Sequence, residues 1–341
     1  MRVIASAPGK LVLLGEYAVL EGAPAVVMAV DRRARVMLSG ATSGDYLIDA
    51  PTLGIHGARG RLGDGRIEWS DLASADADKL QLTGAVIAAA GGQEPLPPFR
   101  AELDTDAFFV DHNKLGLGSS AALTVALSGA LCALRDQAAP SASRLIAAHR
   151  AMQGGRGSGL DIAASLHGGT IVYRLEEGGP RVEPVTLPAG LHIGCVWSGK
   201  SASTGDFLRR IGAWREDAPT RYSKVMNEIK SCAGAGAMAA LCGDAATVVE
   251  AAAAYAEALA ELGRASGADI ISAEHVKIGR IAAACGITYK TCGAGGGDIG
   301  IVLTTDDDRL AQFGRRVEQA GFRMLDLVTD ARGLQVEVEH D

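Results

Sequence analysis

A glycine- and serine-rich turn from Lys114 to Ala122, with the sequence KLGLGSSAA, runs directly into the apolar segment AALTVALSGALCAL. Successive backbone N–H groups in such a turn, followed by the unpaired donors of a helix N-terminus, favour binding of an anion. Gly116 and Gly118 would let a ligand approach the backbone closely, and the two serine hydroxyls could cap the helix or bind a metal ion or phosphate. The spacing matches neither the Walker pattern nor the dinucleotide-binding fingerprint. This segment alone therefore leaves two interpretations open: a phosphate site or a well-capped helix.

Two further glycine clusters carry related signals. Near the N-terminus, SAPGKLVLLGEYAV combines a basic turn at positions 8–10 with apolar runs of strand character. Near the C-terminus, KTCGAGGGDIGIVL places four glycines just before the apolar run 299–303, and a tight loop entering a buried strand is the alternative interpretation. Because the clusters lie far apart in sequence, the fold would have to assemble any shared site.

The three segments, in this order, resemble the three motifs of the GHMP kinases, a family of small-molecule kinases, over residues 7–303. The resemblance implies a two-domain fold, α/β plus α+β, with ATP and substrate bound between the domains. We expect the N-terminal domain at 1–178, the C-terminal, ferredoxin-like domain at 179–341, and a loop-rich junction at 179–188. The residues that the resemblance assigns to ATP binding are Lys114, Gly116, Leu117, Gly118, Ser119, Ser120 and Ala121.

A fourth cluster, QGGRGSGLDIAA, contains Asp161. An aspartate at this position could simply cap a helix. By resemblance to the family, Asp161 is the catalytic carboxylate and Lys10 its partner, and Ser120 binds Mg²⁺ beside the ATP phosphates. A lysine keeps a nearby carboxylate ionised and stabilises negative charge on a transferred phosphoryl group. Asp161 could act as a base toward a hydroxyl or as an orienting group if the acceptor is already ionised.

Within the family, the chain resembles phosphomevalonate kinases at GEYAVLEG, at the lysine that leads KLGLGSSAA, at QGxxGSGxD and at WSGKSAST. Mevalonate kinases typically have a histidine where Tyr17 stands and a magnesium-binding glutamate where Arg150 stands. The resemblance thus implies ATP-dependent phosphorylation of 5-phosphomevalonate to 5-diphosphomevalonate, in isoprenoid precursor synthesis. The alternatives are a mevalonate kinase or another GHMP kinase acting on a hydroxyl, and a catalytically silent sensor of the same fold.

A phosphorylated acceptor requires several cations. It carries nearly −2 at neutral pH, and each like-charge pair at about 4 Å costs roughly 4 kcal/mol at an effective dielectric of about 20. Lys10, Lys114 and Lys200 are the predicted cations, whereas Lys290 is expected to be a solvated lysine. The predicted substrate-binding residues are Tyr17, Ser158, Gly159, Lys200, Ser201, Ser203, Gly295 and Gly296.

Composition agrees with a two-domain enzyme. The chain has 341 residues, 48% of them hydrophobic, and a net charge of −7 that argues against nucleic-acid binding. No apolar run reaches the roughly 18 residues of a membrane span, and six cysteines without regular spacing indicate reduced thiols. We therefore expect a cytoplasmic monomer or homodimer that binds a small phosphorylated substrate and neither nucleic acid nor membrane.

Apolar patterning predicts strands at 2–7, 10–14, 25–30, 34–39 and 99–104, with helices at 119–136 and 142–153. Alanine-rich helices are predicted across 220–285, and a strand–helix–strand ending across 299–339. Cys292, beside the third glycine cluster, is expected to fill space rather than to react.

Overall fold

The computed structural model describes residues 1–41, 44–70, 72–91, 96–152, 157–201 and 204–340. Its strands are β1 (Arg2–Leu14), β2 (Ala25–Gly40), β3 (Tyr46–Ala50), β4 (Ile55–Gly63), β5 (Arg66–Ser70), β6 (Phe99–Asp104), β7 (Phe109–Val110), β8 (Asn113–Lys114), β9 (Thr170–Glu176), β10 (Gly179–Val185), β11 (His192–Trp197), β12 (Thr288–Thr291), β13 (Ile299–Thr304), β14 (Arg323–Leu325) and β15 (Gln335–Glu339). Its helices are α1 (Ser74–Lys79), α2 (Gln81–Gly91), α3 (Ser119–Leu134), α4 (Ala142–Met152), α5 (Leu160–His167), α6 (Thr204–Asp217), α7 (Pro219–Cys242), α8 (Ala245–Ser266), α9 (Ala273–Ala284) and α10 (Asp307–Gln319).

The larger sheet has the order β10-β9-β2-β6-β3-β4-β5, and β1 pairs with both β2 and β15. The β3–β6 pair is parallel, and the other pairs in this sheet are antiparallel. Helices α3 and α5 pack against β1 and β2. Helix α3 is apolar on nearly all sides, and most of its residues are buried, as expected for a helix in the interior of a large protein.

The smaller sheet is antiparallel, with the order β12-β13-β11-β14. Helices α9 and α10 cover it through a compact apolar cluster that includes Ile278, Phe313 and Val317. The main core cluster, by contrast, runs from β1 and α3 through to α8 and β13. The two sheets therefore share one hydrophobic core. No helix in the described ranges combines the length and apolar character needed to cross a bilayer.

The mixed α/β architecture and most predicted elements are confirmed, including β6 at the predicted bounds and α3 from Ser119. The predicted turn at positions 8–10 is wrong: β1 continues through it, and only its register with β2 shifts between Pro8 and Gly9. Proline and glycine suggested a turn, but such residues also occur at strand irregularities.

The loop-rich junction at 179–188 is also wrong in part, since Gly179–Val185 forms β10 and pairs with β9. The last strand, β15, returns to the larger sheet to pair with β1. Both sides of position 178 thus contribute strands to one sheet. The division of the chain into two domains at that position stays a prediction.

Candidate active site

Lys10 is positioned by backbone contacts between the first two glycine motifs. The Lys10 amide donates to the Leu117 carbonyl oxygen at 2.8 Å. A Cβ on Gly9 would lie 2.7 Å from that same oxygen, so the close approach requires glycine. The Lys10 ammonium then donates to the Gly116 carbonyl oxygen at 3.0 Å. The lysine of the first motif is thereby fixed beside the turn of the second.

Helix α3 begins with donors that the helix itself does not use. Its N-cap is Gly118, which has a left-handed conformation and no side chain to cap the helix. The first helical hydrogen bond runs from the Ala122 amide to the Gly118 carbonyl, so the amides of Ser119, Ser120 and Ala121 precede it. The serine-capping interpretation is thus not supported, and the geometry is that of an anion site.

A cavity of about 680 Å³ lies beside Lys10 and is lined by residues from several motifs, a volume typical of a small-molecule site. An adjoining pocket of about 600 Å³ shares Arg209 and Gly157 with it and adds Arg150. The lining residues of the first cavity are Lys10, Val12, Glu16, Tyr17, Val19, Leu20, Gly157, Ser158, Leu160, Asp161, Gly205, Leu208, Arg209, Gly293 and Ala294.

Asp161 lies in the first turn of α5, and its Oδ1 accepts a hydrogen bond from the Ile162 amide at 2.9 Å. Gly159 is the left-handed N-cap of that helix, and a Cβ there would meet Ile146 at 2.6 Å. Lys10 and Asp161 line the same cavity. The described structure has no ion pair between them, and the Lys10 ammonium is bonded to the Gly116 carbonyl.

Tyr17 connects the first motif to the third. It is buried, with a left-handed backbone (φ 63°), and its hydroxyl donates to the Ala294 carbonyl oxygen at 2.5 Å. Burial raises the pKa of the phenol, and the Glu16 carboxylate adds to that rise. Tyr17 therefore stays neutral and holds the third glycine loop at the edge of the cavity.

Gly295 and Gly296 do not line the cavity as expected. A Cβ on Gly295 would lie 2.4 Å from the Ile270 carbonyl oxygen, and one on Gly296 would lie 2.3 Å from the Phe207 ring. The Gly296 amide also donates to Ile270 at 2.7 Å. These two glycines therefore allow the loop to pack closely against Ile270 and Phe207. The glycine of this loop that faces open space is Gly293, with φ 79° and no atom near its Cβ position.

Lys114 and Asp298 come close to Lys10 at the mouth of the glycine turn. Loss of solvent lowers the pKa of the Lys114 ammonium, Asp298 opposes that change and Lys10 adds to it. A Cβ on Gly116 would lie 2.5 Å from the Asp298 carboxyl carbon. Two cations, Lys10 and Lys114, and the carboxylate of Asp298 therefore lie close together at the turn.

Ser201 also reaches this region, since its hydroxyl donates to the Lys114 carbonyl oxygen at 3.1 Å. Lys200 does not join it through its ammonium, which pairs with Glu274 at 2.7 Å. That hydrogen bond lowers the pKa of Glu274 to about 2. Among the described residues, Lys200 does not line the cavity. Ser203 lies outside the described residues.

Glu16 and Lys290 form a buried ion pair under the cavity that the sequence did not reveal. The side chains are 5% and 0% exposed, and Lys290 also donates to the Thr291 carbonyl oxygen at 2.7 Å. Burial raises the pKa of Glu16, and Lys290 opposes that rise. Glu16 Oε2 has no hydrogen-bond partner among the described residues. The prediction that Lys290 is solvated is therefore wrong.

Cys292 is buried between strands, as predicted. Its thiol donates to the Val12 carbonyl oxygen at 3.3 Å and accepts from the Val12 amide at the same distance. Burial raises the pKa of this thiol. Such a protonated, enclosed thiol is unreactive.

Ser120 has a partner that sequence reasoning also missed. Its hydroxyl lies 3.1 Å from Nε2 of His149, a histidine of α4 that is 3% exposed. The next residue, Arg150, donates from Nε to the Gly157 carbonyl oxygen at 2.5 Å. Among the described residues there is no cluster of three or more metal-binding side chains.

The structure thus brings together Lys10, Tyr17, Ser158 and Asp161 around one cavity and sets the α3 turn beside Lys10. Among the described residues, the other predicted site residues do not line this cavity: they are the turn residues 114 and 116–121, Gly159, Lys200, Ser201, Gly295 and Gly296. The missed residues are Glu16, His149, Arg209, Lys290 and Gly293. A signal existed for Glu16, the only charged residue within the apolar run 11–20; for Lys290 nothing local identified a partner 274 positions away.

The chain is similar to known small-molecule kinases. Residues 83–169 match the family described as GHMP kinases N terminal domain. The chain is 28% identical over 372 residues to the phosphomevalonate kinase of Streptomyces sp. (strain CL190), covering 97% of this chain and 98% of that protein. It is 34% identical over 173 residues to the mevalonate kinase of Methanothermobacter thermautotrophicus, covering 50% of each.

The fold is shared with a solved structure of Streptococcus pneumoniae phosphomevalonate kinase in complex with phosphomevalonate and AMPPNP. The TM-score is 0.75 at 20% sequence identity, covering 96% of this chain and 99% of that chain. The resemblance stated from the sequence motifs is therefore confirmed. The chain thus contains a GHMP kinase N-terminal domain at residues 83–169 and is similar over its full length to a phosphotransferase.

Proposed function

We propose that the protein transfers the γ-phosphoryl group of ATP to 5-phosphomevalonate, giving 5-diphosphomevalonate. The observation that carries this proposal is that Lys10, which lines one cavity with Asp161, is also bonded to the glycine turn that leads into α3. The full-length similarity to a phosphomevalonate kinase supports the choice of acceptor. The reduced cysteines are compatible with a cytoplasmic enzyme.

The donor phosphates fit the N-terminus of α3. The free amides of residues 119–121 and the Lys10 ammonium offer hydrogen-bond donors and positive charge to an anion. Mg²⁺ keeps several waters and binds largely through nucleotide phosphates, so one protein hydroxyl suffices. Ser120 would be that ligand, since its hydroxyl is half-buried at the same turn. The metal would neutralise charge on the transferred group.

The acceptor fits the rest of the cavity. Lys10 lines it together with Arg209, which also pairs with Asp206. Arg150 lines the adjoining pocket, and these three side chains are the cations offered to a phosphorylated acceptor. Because the acceptor phosphate is already ionised (second pKa about 6), no base is required. Asp161 then orients the acceptor, while Lys10 stabilises charge on the transferred phosphoryl group.

A mevalonate kinase is the second candidate, favoured by the higher identity over half the chain. The geometry of α4 opposes it. At the position where mevalonate kinases typically have a magnesium-binding glutamate, this chain has Arg150, which is bonded to the Gly157 carbonyl. A guanidinium has no lone pair to offer a metal ion.

The test is a coupled ADP-release assay with mevalonate, 5-phosphomevalonate, homoserine and galactose as acceptors. We expect 5-phosphomevalonate to exceed mevalonate by at least about tenfold in kcat/KM, equal to about 1.4 kcal/mol of differential transition-state binding. An Asp161→Asn control should abolish most turnover with every acceptor. A higher kcat/KM for mevalonate would refute the proposed acceptor.

A further inference from the structure

The contact between Ser120 and His149 joins the proposed magnesium ligand to a buried histidine on another helix. The two atoms are 3.1 Å apart, and His149 is 3% exposed. The Ser120 backbone is held independently, because the Thr124 hydroxyl donates to the Ser120 carbonyl oxygen at 2.9 Å. The remaining freedom of Ser120 is the rotation of its hydroxyl, and His149 is the side chain that restricts it.

The chemistry of the two groups determines what this restriction does. A neutral imidazole has one acceptor nitrogen, and a serine hydroxyl has one donor and two lone pairs. When the hydroxyl donates its hydrogen to Nε2 of His149, both lone pairs of the oxygen remain available to a cation. Outer partners that orient ligands in this way are typical of protein metal sites.

In the described part of α4, His149 is the side chain that hydrogen-bonds with Ser120. Arg150 is bonded to Gly157, and in the described part of the chain no cluster of carboxylates could hold the metal without the nucleotide. We propose that His149 is a positioning residue that directs the Ser120 hydroxyl toward the magnesium ion of the bound nucleotide. This inference rests on the proposed function for the assignment of Ser120 as a magnesium ligand.

The test measures nucleotide binding rather than turnover. The affinity for AMPPNP is determined by isothermal titration calorimetry with Mg²⁺ and with EDTA, for wild type, His149→Leu, His149→Gln and Ser120→Ala. We expect His149→Leu to reduce the magnesium-dependent gain in affinity by about tenfold, with binding in EDTA unchanged. Gln, whose amide reaches the position of Nε2, should restore most of the gain.

Two controls separate positioning from packing. Leu145→Ala removes buried apolar volume from the same helix as His149 and leaves the Ser120 hydroxyl and its partner in place, so its magnesium-dependent gain in affinity should equal that of wild type. The double variant of Ser120→Ala and His149→Leu should be no worse than Ser120→Ala alone, because the two residues act through one oxygen.

The inference is overturned if His149→Leu retains the wild-type gain, or if it weakens binding equally with and without Mg²⁺. Should the Leu variant fail to fold, His149→Gln and His149→Asn decide the question, since the shorter Asn amide cannot reach Ser120 and should lose the gain. Equal magnesium-dependent gains in affinity for His149→Gln and His149→Asn would refute the positioning role of His149. No acceptor is present in this experiment, so a wrong acceptor would appear only in the turnover assay.

Discussion

Replacing Lys290 with methionine tests the buried ion pair beneath the cavity. Lys290 is 1% exposed and Glu16 is 5% exposed. Methionine keeps much of the apolar volume and removes the charge, which leaves the Glu16 carboxylate without a cation in a site with little water. Removing one partner of a buried pair costs about 3–5 kcal/mol, and we expect a loss of that size in the free energy of unfolding at neutral pH.

The loss of stability caused by Lys290→Met should increase with pH. Burial raises the pKa of Glu16 above its ordinary 4.5 and Lys290 opposes the rise, so the pKa rises further when Lys290 is removed. A carboxyl group with a raised folded-state pKa binds its proton more tightly when folded, so stability falls as the pH increases from the unfolded pKa through the folded one. The Lys290→Met variant should therefore differ least from wild type at acid pH, below 4.5.

The assay is urea-induced unfolding followed by circular dichroism at about pH 5 and about pH 8, on either side of most of this titration. Lys277→Met, the same change at an exposed lysine of α9, should cost less than about 0.5 kcal/mol. Adding Glu16→Gln to Lys290→Met should recover much of the stability, because no unpaired charge remains. A loss below about 1 kcal/mol at the higher pH, or an equal loss at both, would refute the reasoning.

Two other predictions concern the glycine loop and the proposed catalytic pair. Gly295→Ala should lower the melting temperature in differential scanning fluorimetry by more than Gly293→Ala. Both positions have similar positive φ, but only the first would press a Cβ to 2.4 Å from the Ile270 carbonyl oxygen; equal losses would contradict the packing role. Lys10→Met and Asp161→Asn should each lower kcat, and the double variant should be little slower than either, because the two residues act on one phosphoryl transfer. Fully additive losses would contradict their joint action.

Local patterns in the sequence predicted much of the fold. The alternation of FRAELD predicted β6, and the glycine turn followed by an apolar run predicted α3. The turn at positions 8–10 was wrong because pairing with β2 and the hydrogen bond to Leu117 hold the chain extended there. The turn propensity of Pro8 and Gly9 is outweighed by the pairing of β1 with β2 along a long strand.

Motif order and residue type were enough to indicate a kinase of this family, because each motif carries its glycines and charges within a few residues. The role of each glycine was decided only by the tertiary structure. Gly118 is the left-handed N-cap of α3, whereas Gly295 packs closely against the carbonyl oxygen of Ile270. The pairing of Glu16 with Lys290 likewise joins positions 274 residues apart. No local periodicity encodes such contacts, since they arise where separate elements pack. Burial then makes the loss of one partner alone costly.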